Sequence, residues 1–151
     1  MKKDYFGIEL SKSIHLALPL ENMGTVIQIT PENICLIPGV SNYLLGVTNY
    51  QGALLWVLDT DQFFQIDSDL LNRKENLTAI IVKSSVSGKT KKVALVVKKI
   101  EGVLNIKTQS DNIASNYFAS QFKHCLDKVV KKDNTVFGIL NTETIFKTIN
   151  K

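Results

Sequence analysis

The chain is short of the residues that staple, coordinate or span. It has two cysteines, Cys35 and Cys125, far apart and each in an apolar run. No Cys-x-x-Cys pair occurs, and His15 and His124 are scattered. Disulfide scaffolds and zinc ribbons are therefore not expected, and no metal site is assigned. No apolar run approaches the roughly 18 residues that span a bilayer. The first residues, MKKDYFGIEL, carry charge with no apolar core behind it, which does not read as a signal peptide. The expected location is the cytoplasm, which leaves the sequon Asn76-Leu77-Thr78 without meaning. A Gly-rich phosphate loop is missing, and so is a Gly-x-Ser-x-Gly elbow. No cofactor is implied.

What is present is β-like. The 151 residues are 44% apolar and 21% charged, the balance of a globular domain. A chain of this size hides roughly 70% of its unfolded surface, so it needs no covalent staple. Short runs rich in Val, Ile and Leu recur between turn residues: 14–18, 26–29, 46–48, 53–58, 79–82, 93–97, 102–106 and 135–140. That spacing favours a barrel or sandwich over alternating βαβ units. Helix signals are few. Asn141 to Ile149 begins with a capping residue and places Ile145, Phe146 and Ile149 on one face. A helical turn at Asp59 to Phe64 is also expected. Segment 110–120 reads as neither, and no internal repeat is visible. The acidic-polar stretch 67–76 and the hairpin tip 84–92 read as mobile.

Ala53 to Leu58, ALLWVL, is apolar at every position. A strand with one wet face would alternate. This strand should be covered on both faces, one filling a barrel and one packing on a second lobe. Leu54, Trp56, Leu58, Val93 and Leu95 are expected to line the cores or the seam between lobes.

No catalytic constellation emerges. Asp59 and Asp61 end an apolar run and read as helix caps. His15 suits the polar face of a strand. His124 and Cys125 are adjacent and on a strand face opposite sides. Cys35 reads as a small core residue. Net charge is +4, and Lys89, Lys91, Lys92, Lys98, Lys99, Lys131 and Lys132 hold most of the surplus. A small basic barrel that binds nucleic acid is the alternative this charge raises. The aromatics, however, do not interleave with the lysines, so no nucleic-acid partner is expected.

The order of the pieces is informative. LALPLENMGTVIQI is followed by an Ile-Pro, then YLLGVTNYQGALLWVLD, TAIIV, VALVVKKIEGVLNI and VFGILNTETIF. This arrangement resembles the CheW-like family of chemotaxis coupling proteins from Tyr5 to Ile149. Gly46, Val47, Asn49, Gly52 and Asp59 match the central signature; Leu95, Val96, Val97, Val103 and Leu104 match the second block. The resemblance implies a mainly β fold of two five-stranded barrel lobes sharing an apolar seam, with a short C-terminal helix, as one domain over residues 1–151. It implies a non-catalytic adaptor between a CheA-type histidine kinase and the tip of a methyl-accepting chemoreceptor. A receptor helical hairpin would lie in a groove between the lobes. Met23, Thr25, Gln51, Val97 and Lys98 would face the receptor, and Asn49 and Gly52 would shape the signature turn. Five positions depart from the family pattern. Gln51 replaces an arginine, Lys98 an acid, Thr25 a glutamate, Ala94 a glycine and Trp56 a proline. Glutamine offers neutral amide bonds where arginine offers a charged planar fork. A divergent member with its own partners is therefore expected, possessing an accessory output such as pilus-based motility.

Overall fold

The structure, a computed structural model, describes residues 2–66, 75–86, 88–107 and 124–149. Among these residues there are ten strands and two short α-helices. In chain order they are β1 (Lys2–Leu10), β2 (Ile14–Pro19), β3 (Met23–Ile29), β4 (Leu44–Tyr50), β5 (Ala53–Asp59) and α1 (Thr60–Phe63). Then follow β6 (Leu77–Val86), β7 (Lys89–Val97), β8 (Lys99–Lys107), β9 (Leu126–Lys132), β10 (Thr135–Leu140) and α2 (Thr142–Ile149). They form two five-stranded sheets, ordered β8-β1-β2-β10-β9 and β3-β6-β7-β5-β4.

The two orders are the same order. Adding five to the label of any strand β1–β5, or subtracting five from any of β6–β10, converts one sheet into the other. The pairing senses convert as well. Each sheet contains one parallel pair, β2 with β10 and β5 with β7, and its other pairs are antiparallel. The chain is thus two copies of one unit, each giving a hairpin to one sheet and three strands to the other. Composition hides this repeat, but one stretch betrays it. Val57-Leu58-Asp59-Thr60-Asp61 corresponds to Ile139-Leu140-Asn141-Thr142-Glu143, and a buried phenylalanine follows each, Phe64 and Phe146. Both helices are capped in the same way. The Gln62 N–H donates to Asp59 Oδ1 and the Thr144 N–H to Asn141 Oδ1, each at 3.3 Å.

Three apolar clusters explain the layering. Ile29, Leu55, Val57, Ala79, Ile81, Ala94 and Val96 fill the concave face of the second sheet. Tyr5, Ala17, Ile106, Val130, Phe137 and Ile139 fill that of the first. The third and largest lies between the sheets. Ile8, Leu10, Leu16 and Leu18 from one meet Leu58, Ile80, Val82, Val93 and Leu95 from the other, with α2 adding Ile145 and Phe146. Strand β5 shows why its sequence does not alternate. Leu55 and Val57 enter the second lobe, while Trp56 and Leu58 enter the seam. Burying each of the fully enclosed leucines stabilises the fold by roughly 1.5–3 kcal/mol.

Three expectations need correcting. Leu54 is not a core residue: it is 76% exposed, because β5 overhangs the seam at its first two positions. Cys35 is exposed rather than buried, since its segment lies along the outer edge of β4. The expected absence of an internal repeat is overturned by the matching strand orders. The 84–92 stretch is the hairpin expected, with Ser84 opposite Lys91, Ser85 opposite Thr90 and Val86 opposite Lys89. Segment 110–120 and most of 67–76 lie outside the described residues.

Candidate functional site

The signature turn follows from local backbone rules. β4 and β5 pair antiparallel from Leu44–Leu58 to Tyr50–Ala53, leaving Gln51 and Gly52 as a two-residue loop. Both have positive φ, 51° and 83°. That is the primed turn whose twist matches the flanking strands. Glycine adopts it without cost, glutamine does not. Asn49 secures the loop, its side-chain oxygen accepting the Gly52 N–H at 3.2 Å. The equivalent hairpin of the second unit, β9–β10, turns through Asp133 and Asn134, again with positive φ, 49° and 67°.

Near this turn the surface is apolar where it need not be. Leu54 pairs in register with Asn49 and is exposed beside half-buried Trp56. On the other side of β4, the segment around Cys35 is fastened by two backbone bonds. The Cys35 N–H donates to Val47 O at 2.7 Å and the Val47 N–H to Cys35 O at 3.0 Å. This holds Leu36 outward, 78% exposed. Gly46 makes the approach possible. Its φ is +142°, and a Cβ there would lie 2.2 Å from Cys35 O.

The receptor-facing residues suggested by sequence do not come together. Gln51 sits at the start of β5, whereas Lys98 follows the end of β7. Parallel pairing of Trp56 with Val93 and Asp59 with Val96 puts them at opposite ends of the sheet. The length of β5 separates them, roughly 20 Å at ~3.3 Å per residue. Thr25 is exposed and Met23 half-buried, both beside a bulge on edge strand β3. Lys98 is exposed, its N–H donating to Glu9 O at 3.0 Å. Val97 is a correction: it is 1% exposed and belongs to the seam, so its side chain offers no contact surface.

A cleft of about 410 Å³ does open between the lobes. Glu21 and Asn22 line it from the β2–β3 connection, Ser84 and Ser85 from β6, and Asp127 and Glu143 from the second unit. None of the five suggested residues lines it. Lys3 crosses its rim and pairs with Glu21 at 2.8 Å, a hydrogen bond that raises the Lys3 pKa. Sequence reasoning missed this cleft because its walls come from β1, β6, β9 and α2, which only the interlocked topology brings together.

The carboxylates that attracted attention are structural. Asp59 caps α1, and buried Asp61 accepts the Ser11 N–H at 3.0 Å and the Ser11 hydroxyl at 2.7 Å, tying down the β1–β2 turn. Buried Cys125 has a raised pKa, caused first by desolvation. Among the described residues no nucleophile is paired with a base in a cleft. No helix among them is long and apolar enough to cross a membrane.

Comparison with known proteins agrees with this architecture. The family model for the CheW-like domain matches residues 4–150. The scaffolding protein TtCheW from Thermoanaerobacter tengcongensis has a similar structure, with a TM-score of 0.75 at 19% identity. The match covers 93% of this chain and 90% of that one. No functionally curated protein matches in sequence. With the family model matching nearly its whole length and the interlocked five-stranded sheets in place, the chain belongs to the CheW-like domain family.

Proposed function

We propose that this protein is a non-catalytic adaptor that couples a chemoreceptor to a CheA-type histidine kinase in a cytoplasmic signalling array. The observation that carries the reading is the match of the CheW-like model across residues 4–150. The surface is consistent with it. Rigid strand pairing presents exposed Leu54 and Leu36 along the β4–β5 edge, where apolar groups have no structural task. Such groups suit the core of a protein–protein contact.

In this proposal Gln51 and Leu54 form one contact region, Lys98 lies at the other end of the sheet, and Met23 and Thr25 lie on edge strand β3, level with the middle of β5. Separated contact points suit a bridging protein better than one groove does. The neutral Gln51 and Thr25, with cationic Lys98, select a cognate partner rather than a general one. An accessory output such as pilus-based motility fits that divergence. Deleting the gene should then impair surface motility and leave flagellar swimming intact.

The binding test uses the cognate kinase's regulatory domain and the receptor's cytoplasmic hairpin. Calorimetry should show one-to-one binding in the micromolar range to at least one of them. Leu54→Asp should weaken it at least tenfold while leaving the melting temperature unchanged. Wild-type protein that binds neither, or Leu54→Asp protein that binds both as wild type does, overturns the proposal.

A further inference from the structure

The mouth of the first lobe holds a cluster that adaptor function does not use. Strand alternation puts Tyr5, Gly7 and Glu9 of β1 on one face, the concave face that Tyr5 and Ala17 help to fill. Glu9 lies directly opposite His15 on β2, and His15 lies opposite Phe137 on β10. The third member arrives through an irregularity. Between Gly7–Gly102 and Ile8–Ile100 the β1–β8 register shifts, and the extra residue is Glu101. Bulges of this kind re-aim a side chain. Here Glu101 is turned onto His15, its Oε1 2.5 Å from the imidazole Nδ1.

Two further observations indicate a built site. Gly7 keeps the space open: a Cβ there would lie 3.2 Å from Glu101 Cβ and 2.8 Å from Leu104 Cδ1. The Phe137 ring meets the imidazole edge-on at 5.7 Å, which fixes the ring's orientation from below. The side chains of His15 and Glu101 remain 24% and 22% exposed, enough for a small ion to enter. One ligand atom each from Glu9, His15 and Glu101 lies within 4.8 Å of the others.

We propose that Glu9, His15 and Glu101 bind a divalent first-row transition ion, with zinc the best fit. One imidazole and two carboxylates match the mixed nitrogen and oxygen donors that zinc accepts, and the imidazole disfavours calcium and magnesium. Bonds of ~2.1 Å set the ligand atoms about 3.5 Å apart, so His15 Nδ1 and Glu101 Oε1, now at 2.5 Å, move apart by roughly 1 Å. The ion replaces the hydrogen bond between His15 and Glu101. The imidazole coordinates as the neutral base, and any displaced proton moves to the other ring nitrogen or to solvent. Two carboxylates balance the ion's charge, and water completes the coordination. Because Glu9 and His15 come from the first unit and Glu101 from the second, the ion clips the two interlocked units together. Ligands 86 residues apart, His15 and Glu101, leave no spacing motif in the sequence.

The test is calorimetric titration of the full chain with zinc chloride in excess magnesium, with elemental analysis of the dialysed protein. The variants are His15→Ala, Glu101→Gln, and the controls Cys35→Ser and His124→Ala. The expected result is one zinc per chain and a melting temperature that rises with zinc. His15→Ala and Glu101→Gln should each lose affinity by at least about tenfold, the scale on which even outer-sphere partners act. The two controls should bind as wild type. Should His15→Ala fail to fold, Glu101→Gln, which keeps shape and hydrogen bonding, decides. Absence of zinc uptake, unchanged affinity in Glu101→Gln, or loss that follows Cys35 or His124 overturns the proposal.

Discussion

Replacing Gly46 by alanine tests how the signature segment is built. The new Cβ would sit 2.2 Å from Cys35 O and 2.9 Å from Cys35 C, both backbone atoms that no rotamer can move away. The φ of +142° is itself unfavourable for alanine and costs ~1–3 kcal/mol. Relief requires the Cys35 segment to lift, which breaks its two backbone bonds to Val47 at 2.7 and 3.0 Å. At ~0.5–1.5 kcal/mol each, these add ~1–3 kcal/mol. The sum is ~2–6 kcal/mol against a typical total stability of ~5–15 kcal/mol. Gly52 is the matched control. Its φ is also positive, +83°, but nothing lies within 4 Å of a Cβ built there. Gly52→Ala should cost only the backbone term, ~1–2 kcal/mol. Urea unfolding followed through the single tryptophan, Trp56, gives both numbers. Amide exchange at Val47 should accelerate in Gly46→Ala and not in Gly52→Ala. A Gly46→Ala cost below ~0.5 kcal/mol, or equal costs at the two positions, would refute the reasoning.

Other consequences are equally direct. Leu95→Ala opens a cavity in the seam and should destabilise by ~2–5 kcal/mol, whereas Leu54→Ala should stay within ~0.5 kcal/mol in the same urea assay. Gln51→Asn gives the turn the residue its positive φ prefers, so the urea midpoint should rise, by up to ~1 kcal/mol of stability. Lys83 and Lys92 are exposed and directly opposed on β6 and β7; Lys83→Glu should stabilise by ~0.2–1 kcal/mol in low salt and by less at high salt. Burial raises the Cys125 pKa, so the folded state holds a proton that the unfolded state releases. Stability from this group is complete below the ordinary thiol value of 9.0 and falls as pH rises from there through the folded value. Denaturant midpoints of wild type above pH 9.0 should therefore fall more than those of Cys125→Ala.

Parts of this were legible in the sequence, for identifiable reasons. The uninterrupted run at β5 announced burial on both faces, and the clusters on its two sides bear that out. The helix from Asn141 and the turn from Asp59 were marked by capping chemistry that acts locally. β1 escaped because Lys2, Lys3, Asp4 and Gly7 dilute its pattern, although Tyr5, Ile8 and Leu10 are buried. β9, LDKVVKK, escaped for a similar reason: only Val129 and Val130 are fully buried, with Leu126 half-buried against the core. Leu54 and Cys35 looked like core residues by type, and only the overhang of β5 and the edge position of the Cys35 segment put them outside. The duplication left only the short match of 57–61 with 139–143, because what repeats is strand order, and pairing conserves hydrogen bonds rather than side chains. The inter-lobe cleft and the Glu9–His15–Glu101 cluster depend on contacts between units, which no local pattern records.

The adaptor assignment is tested most directly by titrating the purified chain with the regulatory domain of its cognate histidine kinase. The account predicts saturable one-to-one association at micromolar concentrations, with Leu54→Asp protein folded but markedly weaker. A folded chain that ignores both that domain and the receptor hairpin at such concentrations would contradict it.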